Sequence, residues 1–422
     1  MKKLFLLLIL FNSTSALASF TVSGISSGAF MASQLGVIYS DQVSGVGSVA
    51  GGFYYCAQNH FQERFQQAKI LNISFLSLFQ ARVKNENIFS WNLDGPIGLD
   101  PKNPIYQSVG ICMREPEKSV IRFDVMKKNQ DERRIADLSN LRNQKVFIYQ
   151  GKSDSVVRPA MLAKMKEFYQ ALQIPDSQVK IVEGRGGHNF PTDQEGLDSC
   201  FSQSVPYVAS CKNNLAGDLL SHLLNDSNLL RSQNQNENLK NLHLVTQTMG
   251  GSQKPKSLAS YGYLAASPEC LSNPGQCRLH VAFHGCAMSD SFDQAFDERY
   301  SQVAKLGYLQ MRNREESLPF STLPYIEQRE LKFGLLRFVM QSGYLDYVKD
   351  NHLMVLFPQT WITEGNYPMN PKGCWDWFGW TGSEYATNQG QEPQWLIRWI
   401  QQMQQNPKAF LLNRSIDFKK VQ

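Results

Sequence analysis

The feature that most constrains the fold is a serine set between glycines, Gly24-Ile25-Ser26-Ser27-Gly28, very close to the start of the chain. It stands between a short apolar run, Phe20-Thr21-Val22, and a helical pattern that opens near Gly28 and continues through Phe30, Met31 and Leu35. A strand that reverses this tightly into a helix strains its middle residue and presents that side chain at the carboxyl edge of a sheet. Glycines on both sides remove the Cβ atoms that would block so close an approach. The amide after the central serine then points to where an oxyanion develops, so Ser26 reads as a nucleophile and Ser27 as a backbone donor. The five-residue pattern alone arises by chance in roughly one chain of this length in seven. Its position between strand and helix carries the greater weight.

A serine hydroxyl needs a base to take its proton, and the base needs a carboxylate to fix its tautomer and stabilise its cation. Among seven histidines, His188 lies in the glycine-rich stretch Gly184-Arg185-Gly186-Gly187-His188-Asn189-Phe190-Pro191, directly after a β-type run at 178–182. Asp154 follows the run at 145–149 in Gly151-Lys152-Ser153-Asp154. Each has an ordinary reading, since an aspartate after a strand commonly caps a turn and a loop histidine is commonly just exposed. Their order along the chain, Ser then Asp then His, is that of α/β-hydrolases.

That fold requires strands before the nucleophile, because its second oxyanion donor comes from a loop after an earlier strand. Only a few residues of a mature chain precede Ser26. The missing strands are therefore expected late in the sequence, at 279–283, followed by His284-Gly285-Cys286, and at 353–357, with a closing helix at 395–403. Further helical spacing appears at 161–172 and 292–306. Alternating strands and helices imply βαβ units and a mainly parallel sheet. The fold class is accordingly α/β, an α/β-hydrolase whose chain order is circularly permuted, with the amides of Ser27 and Cys286 forming the oxyanion hole. No linker divides the chain, so residues 19–422 read as one catalytic domain with insertions. The polar stretch at 225–241 reads as an exposed loop or helix edge. His284 reads as a histidine near the site and not as the base.

Lys2 and Lys3, an apolar run at 4–11 and Ala16-Leu17-Ala18 form a signal peptide pattern over residues 1–18. No later segment has the length of apolar sequence that a membrane anchor needs. The expected protein is secreted, extracellular or periplasmic. The formal charge of +5 includes Lys2 and Lys3, leaving +3 on the mature chain without basic runs, which argues against a nucleic-acid partner. Eight cysteines in an exported chain point to disulfides. Zinc is the competing reading, but the Cys-X-X-Cys pairs that it commonly uses are absent, and neither a metal nor an organic cofactor is expected.

Several segments together resemble the poly(3-hydroxybutyrate) depolymerases with a permuted catalytic domain. They are the turn from Gly24 to Phe30, Gly51-Gly52 with Tyr54-Tyr55-Cys56-Ala57, Phe283-His284-Gly285-Cys286 and Gly187-His188-Asn189-Phe190-Pro191. Cys200, Pro206-Tyr207, Cys211, Ala216-Gly217 and Asn370-Pro371-Lys372-Gly373-Cys374-Trp375-Asp376-Trp377 extend the likeness over most of the chain. The resemblance implies hydrolysis of ester bonds in a polyester or oligoester of short hydroxyacids, with Ser26, Asp154 and His188 as the triad and Ser27 and Cys286 as the oxyanion hole. It also makes Trp375 and His284 expected substrate contacts, with Trp377 and Phe378 open between crevice and core. Family members that attack crystalline polymer commonly carry a separate binding domain, which this chain lacks, and the segments at 218–255 and 312–344 diverge. Soluble oligomers, amorphous polymer or another ester remain open as substrates.

Eight cysteines allow 105 complete pairings. Short loops favour Cys200–Cys211 and Cys270–Cys277, which leaves Cys56–Cys112 and Cys286–Cys374 as a hypothesis. The oligomeric state is not legible. Two rival readings stand: a carbohydrate esterase cleaving feruloyl or acetyl groups with the same triad, and a non-catalytic secreted binding protein on a hydrolase scaffold.

Overall fold

The computed structural model describes residues 19–58, 106–194, 197–251, 253–289, 336–363, 370 and 372–412. The leader at 1–18 and the helix expected at 292–306 lie outside them.

The main sheet is assembled from both ends of the chain. β1 (Phe20–Ile25), β2 (Val43–Val49), β3 (Lys145–Gly151) and β4 (Val179–Gly184) come from the first half. β8 (Leu242–Thr246), β9 (Tyr261–Ala265), β10 (Arg278–Phe283) and β11 (Leu353–Phe357) come from the second. The spatial order is β4-β3-β2-β1-β10-β11-β9-β8. Neighbours run parallel except β9, which is antiparallel to both β11 and β8. The first strand of the chain thus lies in the middle of the sheet, which is the permuted order: the half that normally precedes the nucleophile strand is supplied by later sequence.

β3, β10 and β11 read as near-continuous apolar runs because both of their faces are covered. On one face Val22, Val46, Val146, Ile148, Val281 and Leu356 share a core with α1 (Ser27–Ile38), α2 (Met161–Ala171) and, through Trp395, Trp399 and Met403, α4 (Gln391–Gln405). On the other face Ile25, Val49, Phe147, Val355 and Phe357 pack with Leu219, Leu220 and Leu223 of α3 (Leu215–Leu223). β2, with sequence VSGVGSV, gave no strand signal because its glycines mimic a turn. They are there for packing: a Cβ at Gly47 would lie 2.8 Å from the side chain of Leu219, and one at Gly45 3.3 Å from Leu223.

The seam between the halves is the β1–β10 pair, in register from Thr21 opposite His280 to Gly24 opposite Phe283. Buried His280 hydrogen-bonds Thr21 Oγ1 at 2.8 Å and Ser23 Oγ at 2.7 Å, and Ser23 Oγ meets the Tyr344 hydroxyl at 2.7 Å. Beyond β4, three short strands, β5 (Phe190–Thr192), β6 (Asp198–Ser199) and β7 (Val208–Ser210), form a small sheet ordered β5-β7-β6 beside the His188 loop.

Candidate active site

Ser26 occupies the turn between β1 and α1 with φ 55° and ψ −123°, a conformation that a side chain rarely adopts. The turn is held from within: its N–H donates to the Val49 carbonyl at 3.0 Å, and its carbonyl accepts from the amides of Ala29 and Phe30 at 2.9 and 3.1 Å. The flanking glycines are a steric requirement. A Cβ on Gly24 would come within 2.4 Å of the Gly28 carbonyl, and one on Gly28 within 2.4 Å of the backbone oxygens of Phe283 and His284. The glycine pattern therefore exists so that β1, α1 and the end of β10 can meet around the serine.

Asp154 and His188 follow the neighbouring strands β3 and β4, and the two loops are stitched together by Lys152 N–H to Gly184 and Ser153 N–H to Gly186, at 2.9 and 3.1 Å. Both side chains are buried. His188 Nδ1 lies 2.9 Å from Asp154 Oδ2. The other carboxylate oxygen accepts the amides of Val156 and Val157 at 2.8 and 2.9 Å, and Gln150 Nε2 donates to Oδ2 at 3.2 Å. With Asp154 Oδ2 accepting a hydrogen bond from Nδ1–H, the tautomer is set so that Nε2 keeps its lone pair. Tyr207 stands edge-on to the imidazole at 5.8 Å between ring centroids. No hydrogen bond joins Ser26 Oγ to His188 here; such bonds in ligand-free sites tighten only when substrate is bound.

Ser27 is the first residue of α1, and its amide meets no backbone acceptor among the described residues. The amide of Cys286 also meets no acceptor among the described residues. The His284-Gly285-Cys286 turn lies against Ser26, since a Cβ on Gly285 would sit 3.2 Å from Ser26 Cβ.

His284 and Trp375 are placed differently from the sequence expectation. Both are buried, at 1% and 0% exposure, and neither offers a face to a ligand. His284 hydrogen-bonds through Nδ1 with the Gly285 carbonyl at 2.7 Å, and its Nε2 accepts from the Thr360 amide at 3.3 Å. Burial lowers its pKa to about 4, so it is neutral. Trp375 donates from Nε1 to the His284 carbonyl at 3.0 Å and packs edge-on against Phe283. The resemblance made this tryptophan an expected substrate contact; its side chain instead packs against the turn. Trp377 is likewise a packing residue, stacked on Phe30 at 4.1 Å between centroids, and Trp380 is buried with it.

The eight cysteines form four disulfides, Cys56–Cys112, Cys200–Cys211, Cys270–Cys277 and Cys286–Cys374. The last ties the His284-Gly285-Cys286 turn to the segment that carries Trp375 and Trp377. Sequence reading missed Gln150, Thr360 and Gln203, whose amides and hydroxyl carry no motif; they are visible only through what they bond.

The fold and the chemistry gathered at its carboxyl edge define an α/β-hydrolase of the serine type, a carboxylic ester hydrolase. No family model matches the chain. A polyhydroxybutyrate depolymerase of Talaromyces funiculosus is 27% identical over 377 residues, covering 86% of this chain and 83% of the relative. A poly(3-hydroxybutyrate) depolymerase of Delftia acidovorans is 24% identical over 374 residues, covering 88% of this chain but only 56% of the relative. The solved structure of PHB depolymerase from Penicillium funiculosum superposes with a TM-score of 0.61 at 24% identity, covering 93% of this chain and 99% of that one. A serine-to-alanine variant of a PHB depolymerase, solved in complex with an R3HB trimer, gives the same TM-score and coverage. The chain is thus similar to poly(3-hydroxybutyrate) depolymerases over most of its length, in sequence and in fold.

Proposed function

We propose that this protein is an exported serine esterase that cleaves the ester bonds of poly(3-hydroxybutyrate) or its oligomers, with Ser26 as nucleophile, His188 as base and Asp154 as the group that orients and stabilises the histidine. The observation that carries the reading is the buried Asp154–His188 pair, joined at 2.9 Å on the same sheet edge as a strained serine. In this mechanism His188 Nε2 takes the Ser26 proton as Oγ attacks the ester carbonyl. The Ser27 and Cys286 amides receive the tetrahedral oxyanion, and collapse expels the alcohol end of the chain with a proton from His188. Water, activated by the same imidazole, hydrolyses the acyl-enzyme and frees the acid end. The polyester substrate is supported by the names of the two sequence relatives and by the R3HB trimer bound in the related structure.

Export is supported by the leader pattern at 1–18 and by four disulfides, which persist in oxidising compartments. Among the described residues no helix is long and apolar enough to cross a membrane. We read residues 19–422 as a single catalytic domain. The test is release of 3-hydroxybutyrate from hydroxybutyrate oligomers alongside fluorophosphonate labelling. Oligomer cleavage with the label on Ser26 supports the proposal. Faster release of acetate or ferulate from esterified sugars identifies a carbohydrate esterase, and absence of labelling identifies a binding protein.

A further inference from the structure

The loop closed by Cys200–Cys211 grips both of the loops that carry the acid and the base. On the side of the base, the Gly187 amide donates to the Cys200 carbonyl at 2.9 Å, and Asn189 Nδ2 donates to the carbonyls of Cys200 and Ser202 at 2.7 and 2.8 Å. The Phe190 amide donates to the Tyr207 carbonyl at 2.7 Å. On the side of the acid one side chain makes the connection. Gln203 Oε1 accepts from both the amide and the hydroxyl of Ser155, at 2.7 and 3.0 Å, and Ser155 is the residue after Asp154. The stem of Gln203 also packs beside Gly187, where a Cβ would meet its Cγ at 2.5 Å. One neutral side chain thus touches the residue following the acid and the residue preceding the base.

We propose that Gln203 is a positioning residue: through the Cys200–Cys211 loop it clamps the Asp154 loop to the His188 loop and holds the imidazole in line with Ser26. The proposal rests on the triad reading given above. Gln203 carries no charge, so it acts on geometry and not on the charge of the pair. Displacements of an ångström at a catalytic group cost roughly a hundredfold in rate, which sets the scale of what a clamp protects.

Two variants of the full chain separate the hydrogen bond from the packing. Gln203→Met keeps the shape and loses the acceptor; Gln203→Glu keeps an acceptor oxygen at the same reach. Steady-state hydrolysis of p-nitrophenyl butyrate, the rate of fluorophosphonate labelling and the thermal midpoint are measured for each, with Ser26→Ala as reference. Gln203→Met is expected to lower kcat roughly tenfold to a hundredfold with KM little changed. Labelling should slow by the same factor, and Gln203→Glu should recover most of the loss. Wild-type kcat in Gln203→Met, with Ser26→Ala inactive, overturns the clamp and leaves the triad standing. Equal losses in both variants that track a lowered midpoint reduce Gln203 to a fold-stabilising residue and also overturn it. Full activity in Ser26→Ala means the triad reading itself has failed. Should Gln203→Met not fold, Ser155→Ala removes the hydroxyl half of the clamp from the other side: a parallel fall in kcat and labelling supports the proposal, and wild-type values overturn it.

Discussion

Two histidines stand at the carboxyl edge of this sheet, each buried and each next to glycine, yet they are different chemical objects. His188 directs Nδ1 at the carboxylate of Asp154 and meets no described hydrogen-bond partner at Nε2. His284 engages both nitrogens, one with the Gly285 carbonyl and the other with the Thr360 amide. A carboxylate sustains the cation that proton transfer creates, whereas a neutral carbonyl in a sealed pocket does not. On the proposed mechanism it is the partner of the ring, and not the glycine turn around it, that separates a base from a brace.

The comparison breaks most readily at the nucleophile and its base. Ser26→Ala or His188→Ala should lower kcat by roughly 10⁵-fold or more with the fold intact, measured by ester release and circular dichroism. Asp154→Asn, which retains shape but favours the wrong tautomer, should cost about 10³- to 10⁴-fold in kcat. His284→Gln should cost far less, about tenfold in kcat, with a loss of about 1–3 kcal/mol of stability from the pairings it disturbs. If His284→Gln proves as inactive as His188→Ala while still folded, the distinction between base and brace is wrong.

The support behind His284 can be tested next. Replacing Cys286 and Cys374 together by serine opens a link across 88 residues of sequence and should cost about 2–4 kcal/mol in denaturant unfolding. The tryptophan loop it anchors rests on two buried carboxyl groups. Asp376 accepts from the amides of Gly379 and Thr381 at 2.7 and 2.9 Å, while its own amide donates to Glu392 Oε2 at 2.8 Å. Burial first, and the charge of Asp376 second, push Glu392 up from 4.5 to about 8. A raised value means the folded protein holds a proton that the unfolded chain has released. The stability so contributed is complete below pH 4.5 and is lost as the pH climbs to about 8. The unfolding midpoint should therefore fall between pH 4.5 and about 8 in the wild type and fall less in Glu392→Gln. An unchanged slope in that variant would place the titrating group elsewhere.

The sequence singled out Ser26, Asp154 and His188 because each follows an apolar run in a segment that contains glycine, a local pattern. The late strand ending at Phe283 was legible by elimination, since the nucleophile strand lacked predecessors. β2 was not, because Gly45 and Gly47 imitate a turn until Leu219 and Leu223 are seen lying on them. β8 and β9 escaped notice for a different reason: they pair antiparallel at the sheet's far end, with intermediate positions such as His243 and Leu244 that blunt the apolar signal. Trp375 was expected to touch substrate from the resemblance, and a matching motif does not tell an inward face from an outward one.

The sequence by itself determined which residue types stand at strand ends and in what order, and hence the class of chemistry and the permuted arrangement. Only the tertiary structure decided which groups meet. His188 and Asp154 are 34 positions apart, His284 and Thr360 are 76, and Thr21 and His280 are 259. Strand and turn preferences act over a few neighbouring residues, whereas a histidine becomes a base or a brace only when folding delivers a carboxylate or an amide to its ring.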